Sequence, residues 1–159
     1  MINLPGITLK DSGPQDFAFL WEVRRSSMKQ YLEQTWGPWD EPKQRKQFQA
    51  SLLEFPHCII EWQGQRIGIL ACQKFPDWIM LNRIFLLPQA QKQGIGTRII
   101  GEILKSAWAQ RLPVRLRVLK VNPARRLYER LGFVVTEETT THYSMEARPS
   151  GNPSAAQEI

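Results

Sequence analysis

Cysteine is nearly absent from this chain: two residues, Cys58 and Cys72, in 159. Both lie in apolar runs without metal-ligand spacing and without the density of a disulfide scaffold. They read as reduced core thiols, so no metal is expected and a cytoplasmic setting follows. Also missing is any apolar run near the ~20 residues that cross a bilayer, and residues 1–11 lack the basic patch and apolar core of a secretory leader. A soluble chain without a membrane partner is the expectation. Acidic residues are in deficit, giving a net charge of +6, and arginine gathers at positions 111, 115, 117, 125, 126 and 130. The second half should therefore attract polyanions, either nucleic acid or a phosphorylated cofactor. There is no internal repeat and no linker. What is present, 42% apolar residues with 10% aromatics, fills one core, which predicts a single domain over residues 1–148. The Pro/Ser/Gly/Ala-rich tail over 149–159 reads as disordered.

The hydropathy pattern predicts a short strand at residues 7–9 and a turn at 11–14. A helix opens at Asp16 and carries Phe17, Leu20, Trp21, Arg24 and Met28 at helical spacing. Trp36-Gly37-Pro38-Trp39 breaks that pattern, and a second helix is predicted over 41–55 with Phe48, Leu52 and Phe55 on one side. The period then changes to that of strands, at 58–62, 67–73 and 78–87, joined by turns at 63–65 and 75–77 as an antiparallel meander. A helix over 96–110, a strand over 114–119 and a helix over 123–131 stopped by Gly132 follow, the alternation that parallel pairing requires. Residues 133–136 and 140–145 close the chain as a pair of strands.

Between the third meander strand and the next helix lies Gln91-Lys92-Gln93-Gly94-Ile95-Gly96-Thr97. Glycines at 94 and 96 allow close backbone approach, and the first N–H groups of the new helix point at whatever sits there, an arrangement that favours a diphosphate. Two glycines before a helix are also ordinary punctuation. Two common phosphate loops are excluded: the G-x-x-x-x-G-K-[ST] loop and the G-x-G-x-x-G loop of a βαβ unit are both missing.

Two signatures in this order resemble those of the GCN5-related N-acetyltransferase (GNAT) superfamily. Gln91, Gly94 and Gly96 match its Gln/Arg-x-x-Gly-x-Gly/Ala loop after the fourth strand. Asn122 and Leu127-Tyr128-Glu129-Arg130-Leu131-Gly132-Phe133 match its second signature, with Asn122 one position nearer the tyrosine than is commonest. The resemblance covers residues 7–147. It implies an α/β (α+β) fold: a mixed, mostly antiparallel sheet of six to seven strands, about four flanking helices, and a cofactor cleft where strands 4 and 5 splay. The implied cofactor is acetyl-coenzyme A as co-substrate.

The resemblance further implies that backbone N–H groups of Ile84, Phe85 and Leu86 bind pantetheine and the thioester oxygen, with Phe85 polarising the carbonyl. Lys92, Gln93, Gly94, Ile95, Gly96 and Thr97 would hold the pyrophosphate, and Asn122 would face the cofactor. Tyr128, a phenol with an unperturbed pKa of about 10, becomes the candidate general acid for the departing thiolate; its bland alternative is a packed helix tyrosine. No base stands out by spacing among Glu22, Glu33, Asp40 and Glu54 in or near the first two helices and His57 before the second strand. Glu33 is the candidate chosen, with ordered water as the alternative.

Tyr31, Glu33, Trp36, Trp39 and Asp40 gather aromatic and acidic groups between the first two helices. They are read as the binding site for an amine acceptor, be it a small amine, a polyamine, a lysine or an N-terminus, and as disfavouring an acidic acceptor. The alternative is that the tryptophans merely cover the sheet. Rival functions are a basic nucleic-acid module, for which no motif is present, and a non-catalytic coenzyme A sensor. Exposed strand edges over 133–147 leave room for a homodimer.

Overall fold

The computed structural model describes residues 4–149; the predicted tail lies outside them except for Pro149. In chain order the elements are β1 (Ile7–Asp11), α1 (Phe17–Trp36), α2 (Glu41–Ser51), β2 (Cys58–Trp62), β3 (Gln65–Lys74), β4 (Ile79–Leu86), α3 (Ile95–Ala109), β5 (Val114–Leu119), α4 (Ala124–Arg130), β6 (Val134–Glu138) and β7 (His142–Ala147). The seven strands form one sheet in the order β1-β2-β3-β4-β5-β7-β6, mostly antiparallel, as the family resemblance implied. No described helix is long and apolar enough to cross a membrane.

By internal packing the chain divides into two compact units, and β4 contributes its first residues to one and its last to the other. The unit of Pro5–Gln73 and Asn82–Gly96 holds the meander and both N-terminal helices. Here β1 pairs antiparallel with β2 from Ile7↔Trp62 to Asp11↔Cys58. Asp16 fixes the entry to α1, accepting the Gly13 N–H at 2.8 Å and pairing with Arg66 at 2.8 Å. Gly37, at φ +95°, ends α1 in a conformation open to glycine. Asp40 then caps α2 by accepting the Lys43 N–H at 3.1 Å. That helix stops at Ser51, short of the predicted Phe55, because Pro56 disfavours helical backbone in the residue before it. Leu20, Trp21, Val23, Phe48, Ile59 and Ile69 form the core of this unit, with Phe85 and Leu87 packed against it.

Gly68 on β3 sets how closely β4 can lie. A methyl group at that position would meet the Phe85 carbonyl oxygen and, at 2.8 Å, Leu86 Cδ2. Gly68→Ala is therefore expected to destabilise the protein by about 1–3 kcal/mol through overpacking against backbone. A urea midpoint equal to wild type would show that β4 can move aside freely.

The unit of Lys74–Leu81 and residues 97–149 contains the remaining helices and strands. Ile99, Ile100, Ile103, Leu104 and Ala107 on α3 are buried at helical spacing, and Val114, Leu116 and Val118 alternate inward along β5. β5 and β4 pair in parallel over Ile79↔Val114 and Met80↔Arg115, and the ladder ends there. β7 lies antiparallel to β5 over six residue pairs from Val114↔Ala147 to Leu119↔His142. That inside place suits a strand with Met145 and Ala147 buried, whereas β6, exposed at all five positions, takes the edge. Burying one such aliphatic side chain contributes roughly 1.5–3 kcal/mol. Each ion pair has one partner at least 40% exposed, where such pairs are worth about 0–1 kcal/mol. Apolar burial dominates.

Candidate functional site

The loop after β4 is tied back to β3 and β4. The Leu87 N–H donates to the Ile67 carbonyl at 2.8 Å, and the Gln91 side-chain amide donates to the Leu86 carbonyl at 2.9 Å. Gln93 similarly donates to the Gln89 carbonyl at 2.7 Å. Lys92 and Gly94 take left-handed backbone at φ 61° and 79°, which reverses the chain into α3 within four residues of Gln91. Ile95, 2% exposed, anchors the helix start in the core. The N–H groups of Ile95, Gly96 and Thr97, as the first of α3, have no acceptor within the helix. Gly94 has open space where a side chain would be. Lys92, Gln93, Gly94 and Thr97 are exposed, so the loop offers backbone donors, a helix dipole and one ammonium to an anion approaching from outside. Ile84, Phe85 and Leu86 are half-buried on the strand leading in.

Asn122 and Tyr128 belong to the second unit. Asn122 Oδ1 accepts the Ala124 N–H at 2.9 Å, opening α4. At the other end, Gly132 at φ +100° turns the chain so that its own N–H reaches the Glu129 carbonyl and the Phe133 N–H reaches the Tyr128 carbonyl, a Schellman closure. Phe133 is thereby set edge-on to the Tyr128 ring, at 5.8 Å and 62°. Burial pushes the Tyr128 phenol up to about 12. Among the described residues its hydroxyl has no hydrogen-bond partner, yet no described side-chain oxygen is both fully buried and unpartnered. The ring is thus buried while the hydroxyl keeps slight exposure and a proton to donate.

Three of the five residues read as an acceptor cluster, Glu33, Trp39 and Asp40, have structural roles in the fold. Asp40 caps α2. Glu33 Oε2 accepts the Trp39 main-chain N–H at 3.3 Å. Trp39 stacks on Trp21 at 6.0 Å, donates to Glu41 at 2.6 Å, and has Lys29 Nζ 5.9 Å from its ring. Tyr31 is half-buried, and Trp36 is 59% exposed. Two of the clustered arginines are also engaged: Arg115 pairs with Glu146 and lies over Trp78, and Arg125 pairs with Glu129 and lies over Tyr143. Neither cysteine is activated. Burial raises both thiols, with Asp11 adding to the effect at Cys58, and Cys72 rises to about 11.

A second cluster, which the sequence did not single out, lies beneath α1 and α2. His57, 5% exposed, has Nδ1 2.9 Å from the Phe55 carbonyl and Nε2 2.9 Å from Arg83 Nη1. A carbonyl only accepts and a guanidinium only donates, so the ring is fixed as the neutral Nδ1–H tautomer. Burial and the Arg83 charge push its pKa down to about 4, against the opposing effect of the Phe55 carbonyl. Arg83 lies over the Phe48 and Phe55 rings at 5.1 and 5.2 Å, and Arg24 over Phe48 and Phe85 at 5.9 and 5.6 Å. Both guanidiniums are half-buried, and burial draws each down to about 10, with Arg83 also acting on Arg24. The signal in the sequence was Arg24 itself, a charged residue on the apolar stripe of α1.

His57 gives a pH prediction. Folded, it stays neutral to about pH 4; unfolded, it takes up a proton near 6.5. The unfolded chain binds more protons in between, so the stability His57 confers is complete above about pH 6.5 and drains away as pH falls toward 4. The urea-derived advantage of wild type over His57→Gln is expected to shrink by about 2 kcal/mol between pH values of about 7.5 and 4.5. A constant gap would contradict the buried neutral ring.

Comparison with known proteins follows the same lines. The model of the acetyltransferase (GNAT) domain matches residues 54–135, more than half of the chain. A [ribosomal protein bS18]-alanine N-acetyltransferase of Haemophilus influenzae is 34% identical over 91 residues, covering 55% of this chain and 59% of that protein. The chain thus spans less than two thirds of that relative's length. Among solved structures, the PaiA N-acetyltransferase of Thermoplasma acidophilum in complex with coenzyme A has a TM-score of 0.69 at 19% identity, over 89% of this chain and 98% of that one. A variant of the spermidine N-acetyltransferase of Vibrio cholerae has a TM-score of 0.62 at 21% identity, over 95% and 99%. These structural likenesses speak to the fold, and the domain match to the lineage: the chain belongs to the GNAT family of acetyltransferases.

Proposed function

We propose that residues 1–148 form an acyl-CoA-dependent N-acetyltransferase that moves acetyl from acetyl-coenzyme A to a primary amine by direct attack. The observation that carries this is the loop at 91–97, where left-handed Lys92 and Gly94 precede the free N–H groups of α3 in a chain of this family. The residues present fit a diphosphate. The backbone of Gln93, Gly94, Ile95, Gly96 and Thr97 would hold the phosphates with Lys92 adding charge, while Ile84, Phe85 and Leu86 would hold pantetheine. Asn122 would contribute to binding the cofactor.

In the reaction the neutral amine attacks the thioester carbonyl, whose oxygen is stabilised by the Phe85 N–H. The C–S bond then breaks, the amine proton leaves to solvent, and the sulfur, hydrogen-bonded by Tyr128 as it departs, takes its proton from solvent. A thiolate with an ordinary pKa of about 8.5 is less basic than the Tyr128 phenolate, whose conjugate acid sits near 12. Tyr128 therefore works chiefly as a hydrogen-bond donor to the sulfur. Glu33 is engaged by the Trp39 main chain, which favours ordered water over Glu33 as the route for the amine proton. Tyr31, Trp36 and Trp39 remain candidates for one wall of the acceptor site. An amine acceptor is also what the relatives' names describe, alanine of a ribosomal protein in one and spermidine in another. Incubation with acetyl-coenzyme A and a panel of amines should release one thiol per acetylated amine, read by thiol titration and mass spectrometry. Thiol release without acetylated amine would mean hydrolysis and remove the assignment.

A further inference from the structure

We propose that Arg24 and Arg83 form an anion-holding floor in the acceptor site, and that the amine acetylated here carries a carboxylate close to its nucleophilic nitrogen. The inference rests on the N-acetyltransferase proposal and names the substrate class for it.

Three observations converge within one compact unit. First, the two cations are brought together where like charges repel: Arg24 from α1 and Arg83 from β4 both lie over Phe48, at 5.9 and 5.1 Å. Among the described residues neither has a carboxylate within ion-pair distance. Glu54, which is exposed, acts on Arg83 only as a more distant charge. Holding two desolvated guanidiniums unpaired is costly, and an arriving anion removes that cost.

Second, the guanidiniums are fixed in position without being used up. Phe48, Phe55 and Phe85 take up their flat faces, and His57 engages a single Arg83 nitrogen. The remaining N–H groups have no partner among the described residues, yet no described side-chain nitrogen is both fully buried and unpartnered. Their free edges therefore keep some access to solvent. A planar carboxylate matches that fork geometry.

Third, the pair is placed where the reaction would occur. Arg83 and Phe85 are two residues apart on β4 and so share one face of the strand, and Arg24 lies over the Phe85 ring. Phe85 is the residue assigned to polarise the thioester. The acidic residues between α1 and α2 do not oppose this, because Asp40 is spent on the α2 cap and Glu33 on the Trp39 main chain. An acidic acceptor, which the composition of that cluster disfavoured, becomes the better match.

The test compares amines that differ only in the carboxylate. With acetyl-coenzyme A saturating, α-amino acids are set against their amides, and peptides beginning Ala-Asp against Ala-Asn; the first pair probes a free amino acid and the second an acidic N-terminal sequence. At least one carboxylate form is expected to exceed its amide by about 10- to 100-fold in kcat/KM, the range of one charge-assisted pair. Arg24→Gln and Arg83→Gln should erase that preference through KM, with acetyl-coenzyme A affinity unchanged, and Arg83→Lys should restore part of it. Binding of N-acetylglycine against N-acetylglycinamide, followed by calorimetry on protein with coenzyme A bound, reads the same preference without turnover. Equal or better use of the amides, together with equal binding of the two acetylated probes, overturns the inference while leaving the acetyltransferase proposal standing. Failure to bind acetyl-coenzyme A at all overturns both.

Discussion

Replacing Tyr128 by phenylalanine is expected to lower kcat by roughly 10²-fold while leaving KM for acetyl-coenzyme A nearly unchanged, the pattern of an interaction made mainly in the transition state. The substitution is structurally mild. The ring is held by packing, edge-on to Phe133, and phenylalanine keeps that contact. What disappears is the Tyr128 hydroxyl, which is slightly exposed and has no hydrogen-bond partner among the described residues. Its pKa near 12 adds a pH signature, because wild-type kcat should show no falling limb from this phenol up to a pH of about 10, where an unperturbed tyrosine would already be half ionised. Turnover of Tyr128→Phe within about twofold of wild type would remove Tyr128 from the mechanism.

The second large effect concerns Gly94. At φ +79°, a β-branched residue there faces a left-handed penalty of about 1–2 kcal/mol or more. Gly94→Val should therefore lose stability and also re-aim the N–H groups that follow. Each charge-assisted bond to a phosphate is worth about 1.5–3 kcal/mol, so losing one or two lowers acetyl-coenzyme A affinity by roughly 10²-fold or more. Gly101 supplies the control. It lies within α3 with nothing near its would-be side chain, and Gly101→Ala should raise stability by about 0.5–1 kcal/mol through helix propensity. Its affinity for acetyl-coenzyme A should stay at the wild-type value. A Gly94→Val protein that binds as tightly as Gly101→Ala would show that the loop does not hold the cofactor.

The features that could be read from sequence are those with a local cause. The period change at residue 57, the glycines at 94 and 96 and the Gly132 stop each act within a few residues of themselves, and the elements appear where the pattern put them, within a few residues. The end of α2 was misjudged by following Phe55 at helical spacing; the constraint from Pro56 outweighs it. Strand order was not legible, since nothing in the final hairpin announces that β7 sits inside and β6 outside. That choice depends on which of two short strands buries its side chains against distant elements.

The candidate site divides along the same line. Its cofactor side is a contiguous loop and was visible at once. Its acceptor side depends on side chains that meet only in three dimensions. Trp39, Glu33 and Asp40 were read together because they are close in sequence, and the fold also uses them to pack, brace and cap. Arg24 and Arg83 gave almost no signal because one belongs to a helix and the other to a strand, and their shared partner Phe48 comes from a third element.

The most direct measurement is a calorimetric titration of the full chain with acetyl-coenzyme A, with the Gly94→Val protein titrated alongside. Saturable binding of one acetyl-coenzyme A per chain, weakened roughly 10²-fold or more in Gly94→Val, is the expected result. No saturable heat with the wild-type protein would contradict an acetyl-coenzyme A site in the loop at 91–97 and the chemistry built on it.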